Sequence, residues 1–136
     1  MVQYEVAQRI IATPNSPDKR YGLLSILTNF WSTPELIQKV PARAFYPAPK
    51  VDSALLKLTV NETPAVTLEH PKLFKKVVKS AFGQRRKTFI NALSQQGFDK
   101  NKVTNILEKM GLDASIRGEK FSIEQFNEFT NFYATP

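Results

Sequence analysis

The 136 residues, 42% hydrophobic and 23% charged, suit one ordinary soluble domain, long enough to bury about two thirds of its unfolded surface. Zero cysteines and a single histidine exclude disulfides, thiolate nucleophiles, structural zinc and iron–sulfur centres, so no metal is expected. Nineteen Lys and Arg against twelve Asp and Glu give a net charge of +7, which favours a polyanionic partner.

No apolar run approaches the roughly 18 residues of a membrane span, and Met1-Val2-Gln3-Tyr4-Glu5 is not a targeting segment. A soluble, cytoplasmic protein with no membrane partner is expected. Glu5 to Ala12 has a helical pattern with Val6 and Ile10 on one side, stopped by Pro14-Asn15-Ser16-Pro17. Leu23, Ile26, Leu27 and Phe30 predict a second helix, ending by Pro34. Leu36 to Val40 reads as a short strand. Val51 to Val60 alternates, with Ala54, Leu56, Leu58 and Val60 on one face. Pro41, Pro47 and Pro49 stiffen the connection between these strands, which is expected to be extended.

The texture changes near residues 61–70, which places a boundary between domains 1–66 and 67–136. Beyond it every signal is helical. Pro71 suits a first helical position, and Phe74, Val77, Val78 and Ala81 form an apolar stripe opposed by Lys72, Lys75, Lys76 and Lys79. A helix from about Lys87 to Gln95 stops at Gly97. Another is capped by Asp99, carries Val103, Ile106, Leu107 and Met110, and ends at Gly111. Ser122 with Gln125 forms a capping box ahead of the last helix, which carries Phe126, Phe129 and Tyr133. The first half has too few strands for a closed α/β sheet, whereas the second can form a small helical bundle.

Charge is uneven too. Residues 1–66 hold seven bases and five acids, and residues 67–136 hold twelve and seven. Between Glu69 and Asp99 lie seven bases and no acid: Lys72, Lys75, Lys76, Lys79, Arg85, Arg86 and Lys87. Arg85, Arg86 and Lys87 follow a basic helix and suit phosphate clamping, while a solvated helix end is the plainer alternative. The lysines at 72, 75, 76 and 79 read as a diffuse field. His70 lacks a second histidine or cysteine and fits a solvated or capping role. Asp52 and Ser53 read as turn and strand residues, with no general base in a recognisable arrangement.

Three stretches carry a family likeness: Met1 to Arg9, Phe45-Tyr-Pro-Ala-Pro-Lys-Val-Asp-Ser53, and Ala81-Phe-Gly-Gln-Arg-Arg-Lys-Thr88. Together with Tyr21-Gly-Leu-Leu-Ser25 and Gly111-Leu-Asp-Ala-Ser-Ile-Arg117, they resemble the ribosomal RNA adenine dimethyltransferases over nearly the whole chain. The Gln84-Arg-Arg-Lys-Thr88 run is similar to the small-subunit branch rather than to the related large-subunit resistance enzymes. The resemblance implies an S-adenosylmethionine-dependent enzyme that methylates the N6 amines of two adjacent adenines near the 3′ end of 16S rRNA in the small ribosomal subunit.

The family's glycine-rich cofactor loop and its Asn-Leu-Pro-Tyr segment have no counterpart among these residues. The resemblance therefore implies an α+β fragment: residues 1–66 as the C-terminal piece of a Rossmann-like methyltransferase sheet, and residues 67–136 as a small all-α RNA-recognition domain. Met1 falls where the family has an internal residue. S-adenosylmethionine is the cofactor of the intact enzyme and none is expected for this chain, which is read as inactive by itself and monomeric.

An enzyme that alkylates a base amine must extrude the base, and the freed ring then needs an aromatic platform. The resemblance gives that place to Phe45, while the residues alone favour a core plug beneath the loop. Arg85, Arg86, Lys87, Lys79 and Lys50 are the candidate RNA contacts. A stand-alone RNA- or ribosome-binding module stays open as an alternative, as does a transcriptional relative of the same fold.

Overall fold

The computed structural model describes residues 1–14, 16, 20–84 and 86–136, and divides into two compact units, Met1–Ala65 and Val66–Pro136. Arg85, and Asn15 and Pro17 of the Pro14–Pro17 helix stop, lie outside the described residues.

The first unit opens with strand β1 (Val2–Gln3), which passes directly into helix α1 (Tyr4–Ile11). Helix α2 (Leu23–Trp31) leads without a loop into β2 (Ser32–Val40), and β3 (Ser53–Val60) completes an antiparallel sheet of order β1-β3-β2. The predicted strand at Leu36 is therefore four residues short at its start. Pro34, read as a breaker, pairs instead with Leu58 on β2, an edge strand that can carry a residue lacking an N–H donor. A bulge between Leu36 and Gln38 resets the register, so that Leu36 faces Leu56 and Gln38 faces Leu55.

Helices α1 and α2 are tied by Ser25, whose hydroxyl donates to the Arg9 carbonyl, and by Asn29, whose Nδ2 donates to Ile10 O at 3.2 Å. Ala7, Ile10, Ile26, Phe30 and Ala54 are buried around this junction. The predicted inner face of β3 is buried only at its start: Leu58 is 50% and Val60 77% exposed. β1 pairs with β3 only at Ala54 and Ser53, so from Leu55 onward β3 has a sheet neighbour on one side alone. Leu27 and Trp31 are likewise more than half exposed, leaving unit 1 with uncovered apolar surface.

The connection from β2 to β3 is not the extended loop expected. Ala42–Ala44 form a 3₁₀ turn, with the Ala44 and Phe45 N–H groups donating to Pro41 O and Ala42 O at 3.0 and 3.2 Å. Pro41 fixes φ just ahead of the turn, and neither Ala42, Arg43 nor Ala44 obstructs it.

In the second unit α3 spans Pro71–Gly83 with Pro71 in its first turn, and α4 spans Phe89–Gln95. The helix expected from Lys87 begins two residues later because the Thr88 hydroxyl accepts from Asn91 N, making Thr88 the cap. Helix α5 (Lys100–Lys109) is capped by Asp99, which accepts from Asn101 N and Lys102 N, and closes at Gly111 with φ +72°. Helix α6 (Ile123–Ala134) opens on the reciprocal Ser122–Gln125 box. A core of phenylalanines joins these helices: Phe89, Phe121, Phe126 and Phe129 are all fully buried. Gly118 permits close approach, since a Cβ there would lie 2.8 Å from Ala81 Cβ on α3.

Candidate nucleic-acid interface

Phe45 leaves the 3₁₀ turn half-buried, on the wall of an open hollow of about 460 Å³ shared with Val2, Gln3, Pro47, Pro49 and Ser53. Neighbouring Tyr46 is fully exposed. The ring is thus partly covered and partly open to solvent. The lining mixes apolar side chains with the polar Gln3 and Ser53 and the N-terminal Met1.

Asp52 holds this loop. Its Oδ1 accepts from Ala42 N at 2.9 Å, its Oδ2 lies 3.5 Å from Lys39 Nζ, and its backbone carbonyl accepts from Tyr4 N at 2.9 Å. The Lys39 ammonium also sits 4.4 Å from the centroid of the Tyr4 ring. One residue therefore binds the first residue of the turn, the end of β2 and the start of α1. Sequence reasoning read Asp52 as a turn or strand residue and missed this hold, because its partner at Ala42 is remote along the chain and carries no side-chain signal.

The Ala42 N–H, aided by the Lys39 and Arg43 charges and opposed by desolvation, holds the Asp52 carboxyl below its ordinary value of 3.8. A carboxyl lowered on folding contributes stability above its unfolded value and loses it as pH falls through the folded one. Asp52→Asn keeps an acceptor for Ala42 but no charge. The variant is expected to be less stable than the parent at neutral pH, the gap closing as pH drops below about 4. Urea unfolding followed by circular dichroism at both pH values checks this; a gap unchanged in acid would show that the charge contributes nothing.

Lys50 is exposed and lines a different hollow, of about 340 Å³, with Glu5, Gln8, Arg20 and Asp52. Gln3 borders both hollows, but Phe45 and Lys50 do not share one. In the second unit Arg86 is exposed and Lys87 half-buried in the turn between α3 and α4, with the Lys87 N–H donating to Gln84 O at 3.0 Å. Lys79 lines a hollow with Lys72, Lys75 and Lys76, to which neither Arg86 nor Lys87 contributes. His70 occupies the N-cap of α3, its side chain making no cap hydrogen bond. Among the described residues no cluster of His, Cys, Asp or Glu could hold a metal ion, and no helix is long and apolar enough to cross a membrane.

Two solved structures share this fold. A dimethyladenosine transferase from Plasmodium falciparum is similar over 93% of this chain and 53% of its own, at 21% identity and a TM-score of 0.70. The 23S rRNA methyltransferase ErmE is similar over 96% of this chain and 51% of its own, at 22% identity and a TM-score of 0.60. The family model for ribosomal RNA adenine dimethylase matches residues 1–135, and the chain belongs to that family. Ribosomal RNA small subunit methyltransferase A from Caldanaerobacter subterraneus subsp. tengcongensis is 45% identical over 96% of this chain and 48% of its own length. Its namesake from Moorella thermoacetica is 44% identical over 93% of this chain and 43% of its own. The chain thus spans about half the length of the curated relatives it matches.

Proposed function

We propose that this chain is the C-terminal, substrate-side part of an S-adenosylmethionine-dependent enzyme that dimethylates the N6 amines of two adjacent adenines near the 3′ end of 16S rRNA, in the cytoplasm. The observation that carries this reading is the family match over residues 1–135 combined with the placement of the half-buried Phe45 ring on the wall of an open hollow. Extruding an adenine from its stack costs a few kcal/mol, and an aromatic face that receives the ring offsets part of that cost. Phe45 supplies the face and the Asp52-pinned turn fixes its position, so the adenine amine is oriented rather than free to rotate. Arg85, Arg86, Lys87, Lys79 and Lys50 hold the surrounding RNA through its phosphates.

S-adenosylmethionine supplies the methyl group. The strand-to-helix passage from Gln3 to Tyr4 contains no glycine, and the five glycines of the chain are scattered at 22, 83, 97, 111 and 118. These residues do not fit the donor, which supports placing its site in the part of the intact enzyme that these 136 residues do not include. The partly covered sheet and exposed Leu58 and Val60 agree with that placement.

Fusing the chain behind the first half of the Moorella thermoacetica relative tests the reading. The chimera is expected to transfer labelled methyl groups to undermethylated small subunits, with dimethyladenine recovered on digestion, while the 136 residues alone show no saturable S-adenosylmethionine binding by calorimetry. A chimera that binds the donor yet methylates nothing would favour a non-catalytic RNA-binding module. Saturable micromolar binding by the chain alone would refute the placement of the donor site.

A further inference from the structure

Helix α3 buries Phe74, Val77, Val78 and Ala81, which forces Lys72, Lys75, Lys76 and Lys79 onto its other side, all four exposed. These lysines border a hollow of about 420 Å³ whose remaining lining is Ser80, Gly83 and Gln96, the residue that follows α4. Like charges at i, i+3 and i+4 repel along a helix, and an ordinary solvated face intersperses acids, as Glu5 does for Arg9 at 2.9 Å on α1. Here there is none. No acid occurs from His70 to Phe98, α4 carries no charged residue, and Glu124 and Glu128 of α6 do not line the hollow. Among the described residues none of the four lysines is paired with a carboxylate.

Two details show a groove rather than a diffuse field. The Lys76 ammonium is held 4.9 Å from the centroid of the buried Phe98 ring, which fixes one charge at its edge. Gly83 has ordinary φ, and a Cβ added there would meet nothing within 4 Å, so neither backbone conformation nor packing demands glycine. Gly83 leaves that part of the lining without a side chain.

We infer that the groove between α3 and the end of α4 binds an RNA sugar-phosphate backbone through Lys72, Lys75, Lys76 and Lys79, as a contact separate from the Arg86–Lys87 turn. This rests on the reading of the chain as RNA-binding and extends it to three lysines that the sequence pattern alone left as a field. Ammonium groups are hydrated point charges that suit phosphate oxygens, and the lining includes no aromatic ring on which a base could stack. The groove therefore contributes affinity without sequence preference.

Fluorescence anisotropy of a labelled RNA hairpin with the 136-residue chain, between about 50 and 200 mM KCl, tests this. The pair Lys72→Gln with Lys76→Gln is expected to weaken binding about tenfold and to flatten the log–log salt slope by roughly 1.5, at about 0.7 to 0.9 per phosphate contact. Lys100→Gln with Lys109→Gln removes the same charge from α5 and should change affinity less than about twofold. Lys72→Arg with Lys76→Arg should retain binding, and Gln96→Glu, which leaves α3 untouched, should weaken it even if the Gln pair fails to fold. Equal losses from the α3 and α5 pairs, no loss with Gln96→Glu, or binding to vesicles containing phosphatidylserine but not to RNA would overturn the assignment. A parent chain that does not bind the hairpin at the lowest salt would remove the RNA reading itself, whereas a binding parent with indifferent groove variants removes the groove alone.

Discussion

Phe89→Ala is expected to destabilise the second unit by about 3 to 5 kcal/mol and to lower its thermal midpoint by more than about 10 °C. Phe89 is fully buried at the first position of α4, where its N–H also donates to Ile116 O at 2.8 Å. Its ring stacks on Phe121 at 4.3 Å between centroids and meets Phe129 edge-on at 4.9 Å. Phe121 in turn lies 5.0 Å from Phe126, so removing Phe89 opens a void against several large rings that cannot all collapse into it. The backbone bond to Ile116 survives the substitution, which confines the loss to packing. Thermal melts of the whole chain by circular dichroism would show it, with Phe89→Leu losing much less. An Ala variant within about 1 kcal/mol of the parent would mean that the rings are loosely packed and that the unit is held together elsewhere.

How much of this was legible beforehand follows the range of the interactions. Helices α5 and α6 could be read directly because their signals are local: Asp99 caps N–H groups two and three residues on, and Ser122 and Gln125 satisfy each other within one turn. The start of β2 was hidden because Pro34 is a breaker in most contexts, and its tolerance here depends on edge position, which only the sheet order reveals. β1, two residues long, has no periodicity to detect. Phe45 was singled out through its motif, but the bond that pins the turn before it was not, since Asp52 acts on a backbone amide ten residues away. The α3 lysines likewise looked like any amphipathic exterior until the end of α4 closed a groove beside them.

The platform role proposed for Phe45 yields the sharpest functional expectation. In an intact enzyme carrying this C-terminal sequence, Phe45→Ala should lower turnover about fivefold to 150-fold, the equivalent of roughly 1 to 3 kcal/mol of lost stacking, while affinity for S-adenosylmethionine stays nearly unchanged. The separation of the two effects follows from the proposed roles: Phe45 lines a hollow with Val2, Pro47 and Pro49 and is assigned to the extruded base, while the donor is assigned to residues outside this chain. Ring area and flatness are what a platform needs, so Phe45→Tyr and Phe45→Trp should each retain more activity than Phe45→Leu, whose volume is similar enough to fill a void but which offers no π face. Single-turnover methylation of small subunits, beside calorimetric titration of the donor, reads both quantities on the same preparations. Leu matching Tyr would assign Phe45 to packing beneath the loop, because a core plug responds to apolar volume and not to aromaticity.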